Sequence, residues 1–120
     1  MKMLEKLKIP FLAKDRDETH PIIFAGGPVV TSNPLPFQEF FDFVNIGDSN
    51  VPSVIEKLIE NKNKTKKEKL ESIKDIKGIW APEFGKEKKI ERFIEDIKEP
   101  TSTPILSDKS YFSNTFIIEV

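Results

Sequence analysis

The chain has no cysteine, and only one histidine, one tryptophan and one tyrosine. Without cysteine there is no disulfide framework, no thiolate nucleophile and no cysteine-bound metal cluster within these residues. A charge excess is missing too. Nineteen basic side chains face 20 acidic ones, a formal net charge of −1. A nucleic-acid groove or an anionic membrane surface requires a clear basic excess, so neither is an expected partner. Long apolar runs are absent, with none near the roughly 18 residues of a membrane span. The opening Met-Lys-Met-Leu-Glu-Lys-Leu-Lys is too charged for a signal peptide. A cytoplasmic location is therefore expected. At 120 residues the chain makes one domain at most, and it buries about two-thirds of its unfolded surface.

What is present is an alternation of helix-like and strand-like segments. Leu4 and Leu7 fall on one side of a short helix over 2–9, which Ile9-Pro10 ends because the residue before proline avoids the helical region. Residues 14–20 are charged and loop-like. The run Pro21-Ile-Ile-Phe-Ala-Gly-Gly is bounded by proline and glycine and has the length of a buried parallel strand. "NPLPFQEFF" reads as a turn and one short helix, and "DFVNIG" as a second buried strand. Val51, Val54, Ile55, Leu58 and Ile59 have helical spacing, with Ser49 or Asn50 as cap and Pro52 in the first turn. Thr65 and Glu68 form a capping-box pattern that starts a helix carrying Leu70, Ile73 and Ile76, and Gly78 stops it.

Beyond residue 78 the texture changes. "GIWAPEF" and "KIERFIEDI" read as two short strands around Gly85, a hairpin. "EPTSTPILSD" is a proline-punctuated connector, and 115–120 carry a strong strand pattern. Strands alternating with helices predict parallel βαβ packing. Two parallel strands would expose both sheet edges, which small domains avoid. This predicts a sheet completed by another copy or by residues outside these 120.

Residues 21–48 also resemble a known family. Gly26, Gly27 and Pro28 end an apolar strand, Asn33, Pro34 and Pro36 follow, then Asp42, then Gly47 with Asp48. This order is similar to the radical S-adenosylmethionine (radical SAM) proteins that carry an N-terminal cobalamin-binding-like domain. "IKGIWAPEF" resembles the short element that follows in that family, and "TSTPILSD…TFIIEV" its connector into the first strand of the radical SAM barrel. There an Arg-Gly-Cys turn and a Cys-x3-Cys-x2-Cys cluster motif come next, one step beyond Val120. Two departures stand out. The acidic turn reads Asp48-Ser49-Asn50 where the family has Gly-Glu. The cobalamin lower-ligand pattern Asp-x-His-x-x-Gly is missing around His20, with Glu18 and Ile23 in its flanking positions, so His20 is not a cobalt ligand.

The resemblance implies an α/β fold. Residues 1–76 would be the second half of a partial Rossmann-like, cobalamin-binding-like parallel-sheet domain. Residues 77–114 would be a β-hairpin and connector, and 115–120 the first strand of a truncated barrel. The chain would then be a non-catalytic N-terminal fragment of a radical SAM enzyme whose substrate is unknown. No cofactor is expected in the fragment. The parent would use a [4Fe–4S] cluster and S-adenosylmethionine, with cobalamin as a further candidate. The implied partner is the rest of the same polypeptide, with a homodimer through the sheet edge as a second form. The alternative is a stand-alone small-ligand-binding or dimerising module.

Gly26, Gly27, Pro28, Asn33, Gly47 and Asp48 are the candidate ligand-binding residues, because open α/β sheets bind at the carboxyl ends of their strands. A tight turn needing positive φ is the plainer reading of the glycine pair. Asp42, Asp48 and Asn33 would meet as a polar rim, read either as acid–base groups or, better, as caps and turn residues. His20 reads as a surface histidine. Phe24, Phe37, Phe40, Phe41 and Phe43 read as core more readily than as a cofactor-stacking platform. A small hydrolase using Asp42, Asp48 and His20 is a third reading and the least supported. No catalytic residue and no metal ligand is assigned.

Overall fold

The computed structural model describes residues 2–48, 50–85, 88–96 and 109. In chain order these give helix α1 (Lys2–Lys6), strand β1 (Phe24–Ala25), helix α2 (Pro28–Ser32), strand β2 (Phe43–Asn45), helix α3 (Val51–Glu60), helix α4 (Lys66–Ile73) and strand β3 (Ile79–Trp80). Short 3₁₀ turns occupy Ala13–Asp15, Leu35–Phe37 and Pro82–Phe84. Among the described residues no helix is long and apolar enough to cross a membrane.

The sheet is small and mixed, in the order β1-β2-β3. The expected parallel pair forms, with Phe24 opposite Phe43 and Ala25 opposite Val44. The third strand runs the other way, with Val44 opposite Trp80 and Asn45 opposite Ile79. The sheet is therefore not purely parallel. The expected hairpin also gives way: β3 takes β2 as its partner, and Phe93 makes a single parallel bridge to Gly47. The connector over 99–108 and the strand pattern over 115–120 lie outside the described residues.

Period-two alternation sends the central strand's side chains to both faces. Phe43, Ile79 and Ala81 pack with Val54 of α3 and Leu70 and Ile73 of α4 on one face. Val44, Ile46 and Trp80 pack with Val30 of α2 on the other, with Phe37 and Phe41 against them. Phe43 is thus core and Phe37 and Phe41 pack against core, as read from the sequence, whereas Phe40 pairs with Phe11 outside both clusters. Phe24 stacks on Phe43 at a centroid distance of 4.9 Å while its outer side stays exposed.

β1 is shorter than the apolar run that contains it. Pro21 has no amide to donate, and the Ile23 N–H goes to the Asp42 carboxylate at 2.7 Å. α2 was not expected where it lies. Gly27 caps it and Pro28 supplies a pre-set first residue, while the expected helix over "NPLPFQEFF" shrinks to one 3₁₀ turn. The first helix, expected over 2–9, ends at Lys6, and Leu7 beyond it is exposed. α4 forms the capping box at Thr65 and Glu68, but it stops at Ile73 and leaves Ile76 in the following turn.

Candidate functional site

The parallel pair β1 and β2 sets the geometry, because both strands finish at one end of the sheet. From β1 the chain turns through Gly26 and Gly27 into α2. From β2 it continues through Ile46, Gly47 and Asp48 toward α3. A pocket of about 410 Å³ lies there, lined by Gly27, Pro28, Thr31, Gly47, Asp48 and Arg92, with Ser32 at its margin.

Four of the six sequence-derived candidates, Gly27, Pro28, Gly47 and Asp48, therefore share one pocket. Gly27 has φ 98° and ψ 178°, a conformation open to glycine, and a β-carbon there would meet no atom within 4 Å. The backbone on that side is bare and accessible. Gly47, at φ 91°, is glycine for the opposite reason: a β-carbon would collide with the Phe93 carbonyl and the Arg92 side chain. Its N–H donates to Thr31 Oγ1 at 2.9 Å, which ties the end of β2 to α2. Asp48 is engaged from two directions. Its N–H donates to Phe93 O at 2.9 Å, and its Oδ2 accepts from Glu95 N at 2.7 Å.

The other two candidates sit elsewhere. Gly26 packs beside Asn45, where a β-carbon would be 3.6 Å from that side chain. Asn33 ends α2 and its Oδ1 accepts from Leu35 N at 3.2 Å, a local turn contact. Sequence reasoning missed Thr31 and Arg92. Thr31 looked like part of a polar turn, and Arg92 arrives from far along the chain.

The polar rim of Asp42, Asp48 and Asn33 does not form, because Asp42 precedes β2 and Asp48 follows it. Asp42 instead anchors a buried charged cluster. Its Oδ2 is 3.2 Å from Arg16 Nη2 and accepts from Ile23 N, and Lys66 Nζ lies 2.8 Å from Oδ1. Lys66 is off the hydrogen-bond direction, so charge alone holds that contact. Arg16, with a fully buried side chain, also donates to the carbonyls of Pro10, Phe11 and Phe40 at 2.8 to 3.1 Å. Its Nε has no partner among the described residues. The cluster pins the segment after α1 to the start of β2, beneath a cavity of about 570 Å³.

His20 is at the amino end of β1, away from the strand-end pocket, with Nδ1 2.8 Å from Asp17 Oδ1. The Thr19 hydroxyl and amide donate to Asp17 Oδ1, and together with His20 they hold that carboxyl at about 2, below its usual 3.8. Asp48 lies at the opposite end of the parallel pair from Asp42 and His20. Asp42 is held by Arg16, Lys66 and Ile23, and His20 pairs with Asp17, so the hydrolase reading finds no shared site. Among the described residues no group of three His, Cys, Asp or Glu side chains is placed to hold a metal ion.

Comparison with known proteins adds a family to this geometry. No curated protein and no solved structure matches the chain. Residues 1–82 match the family model described as radical SAM proteins, N-terminal, a span that covers the sheet, all four helices and every pocket residue except Arg92. That match extends over more than half of the 120 residues, so the chain belongs to the N-terminal family of the radical SAM proteins.

Proposed function

We propose that residues 1–76 form the second half of a cobalamin-binding-like, Rossmann-like domain that stands ahead of the catalytic barrel of a radical SAM enzyme. The observation that carries the reading is the family match over residues 1–82 in a chain without cysteine. In the parent, a [4Fe–4S] cluster supplies the electron for reductive cleavage of S-adenosylmethionine. The residues here do not fit that cluster. They offer no thiolate, and no alternative group of three metal-binding side chains occurs among the described residues. Cluster and radical chemistry are therefore assigned to residues outside these 120. Cobalamin is not assigned to His20, which pairs with Asp17 at the far end of β1 from the strand-end pocket.

Within that reading the strand-end pocket is the ligand-facing part of the domain. The open backbone at Gly27 and the polar groups of Thr31 and Asp48 suit a small polar ligand at the carboxyl ends of β1 and β2, where open α/β sheets bind. Gly26 and Asn33 keep structural roles. A second reading, a stand-alone ligand-binding or dimerising module, is favoured by one feature, the outer edge of β1, which has no partner strand among the described residues and has Phe24 exposed beside it.

The codons that follow Val120 in the native gene separate the two. An in-frame Arg-Gly-Cys turn and three-cysteine motif, followed by anaerobic assembly of an iron–sulfur cluster on the longer protein, is the expected result. A stop codon after Val120 overturns the enzyme reading and leaves the module.

A further inference from the structure

We infer that this chain pairs with a second copy of itself by seating the acidic, isoleucine-bearing segment 90–96 of each copy in a lysine-rimmed apolar groove of the other. The groove lies between the approach to β1 and the outer side of α3. Ile22, Ile55, Leu58 and Ile59 line it, Lys62 and Lys69 stand on its rim, and its volume is about 350 Å³. Ile55 and Ile59 are exposed, Ile59 by 62%. Neither lysine is in an ion pair among the described residues, unlike neighbouring Lys66, which Asp42 holds. The one carboxylate at the groove, Glu18, already accepts from the Lys66 N–H at 2.6 Å. The groove is thus apolar in its floor and positive at its rim.

The matching surface is on the same chain. Phe93 N donates to Ile46 O at 2.9 Å, Asp48 N donates to Phe93 O, and Glu95 N donates to Asp48 Oδ2. These bonds fix the segment through its backbone. They leave Ile90 and Ile94 facing solvent, 45% and 66% exposed, among Glu91, Glu95 and Asp96. None of these three carboxylates has a side-chain partner among the described residues. Two isoleucines with flanking acids complement an isoleucine floor with flanking lysines in both shape class and charge.

A copy cannot satisfy itself. The groove opens beside Ile22, before β1, and the segment is pinned to Gly47, after β2. Because β1 and β2 are parallel, these are opposite ends of the sheet. The contact is therefore between copies. When two copies exchange segments it is a closed, isologous two-fold pair, and when they do not it is heterologous and propagates as a chain. One peptide in one groove is a small contact beside the ~1,200 Å² of a stable interface. The reciprocal pair, with both seats filled, is the form that persists. The contact does not rest on the Proposed function, although the segment that makes it also carries Arg92, which lines the strand-end pocket.

Sedimentation equilibrium of the 120-residue chain over a wide concentration range, in low and in molar salt, tests it. The expected result is a reversible dimer that salt weakens. Lys62→Glu with Lys69→Glu should weaken association at least tenfold, as should Ile94→Asp by itself, with thermal unfolding of the monomer unchanged. Adding Glu91→Lys and Glu95→Lys to the doubly substituted groove should restore the dimer. A wild-type chain that stays monomeric throughout overturns the proposal. So does a dimer indifferent to both sets of substitutions, which would place the contact elsewhere, as at the β1 edge. Failure of the reversed charges to restore pairing overturns it as well.

Discussion

Gly27 and Gly47 have nearly the same φ, yet substitution at each should be felt differently. At Gly27 an added β-carbon meets nothing, so Gly27→Ala should cost only the backbone strain of a glycine-favoured conformation, roughly 1–3 kcal/mol. At Gly47 the same strain is joined by a collision with Phe93 and Arg92, and Gly47→Ala should lose about 1–3 kcal/mol more through overpacking. Urea unfolding measures both. Amide exchange at Phe93 separates them, since only the Gly47 variant should release that segment. Asp42 is a buried charge beside a buried charge. Asp42→Ala leaves the Arg16 guanidinium buried without its counter-charge, and should lower stability by about 3–5 kcal/mol in the same titration. Asp17 gives the pH dependence. Its folded pKa, about 2, is below the ordinary 3.8, so its contribution to stability is present above about pH 4 and is lost as the pH falls toward 2. Carboxyl NMR should place its midpoint near 2, moving up in Thr19→Val; an Asp17 that titrates near 3.8 in the wild type would show that the Thr19 bonds do not persist in solution.

At the scale of elements, the best-signalled helix start is also the best formed. The Thr65 hydroxyl accepts from Glu68 N, and the Glu68 carboxylate accepts from Thr65 N, two donors of the first turn satisfied at once. Thr65→Ala should destabilise by about 1 kcal/mol, read from urea unfolding. It should also let Glu68, now held low chiefly by the Thr65 hydroxyl and then the amide, titrate closer to 4.5. Elements whose signals are local were legible: both parallel strands, α3 with Pro52 in its first turn, and α4. α2 was not expected: its two adjacent valines disfavour helix, yet Gly27 followed by Pro28 starts one. β3 was recognised as a strand but given the wrong partner. A hairpin is the shorter connection, yet Ile79 and Ala81 can reach the α3–α4 core only by lying against β2. Asn50 caps α3 without a side-chain bond to the helix, because its amide donates across to Lys77 O at 3.2 Å.

At the scale of the whole molecule, half-legibility has a common cause. The strand-end positions Gly27, Pro28, Gly47 and Asp48 could be read because topology alone brings the ends of parallel strands together. The Arg16–Asp42–Lys66 cluster and the segment carrying Arg92 and Phe93 could not, since nothing local marks which distant charge or strand a residue will meet. The resulting architecture is a sheet protected unevenly. β2 is covered on both edges and both faces, while among the described residues the outer edge of β1 has no partner strand. Ile23 spends both its backbone groups on Asp42, so alternation turns the N–H and C=O of Phe24 outward to that edge. Native-state hydrogen exchange should therefore rank the molecule by position across the sheet. Amides of Val44 and Asn45 should open only with global unfolding, the Phe93 amide at an intermediate free energy through its single bond to Ile46 O, and the Phe24 amide with almost no protection. A Phe24 amide as slow as that of Val44 would mean that the edge is paired in solution, and dilution of the sample would then tell whether the strand beside it comes from a second copy.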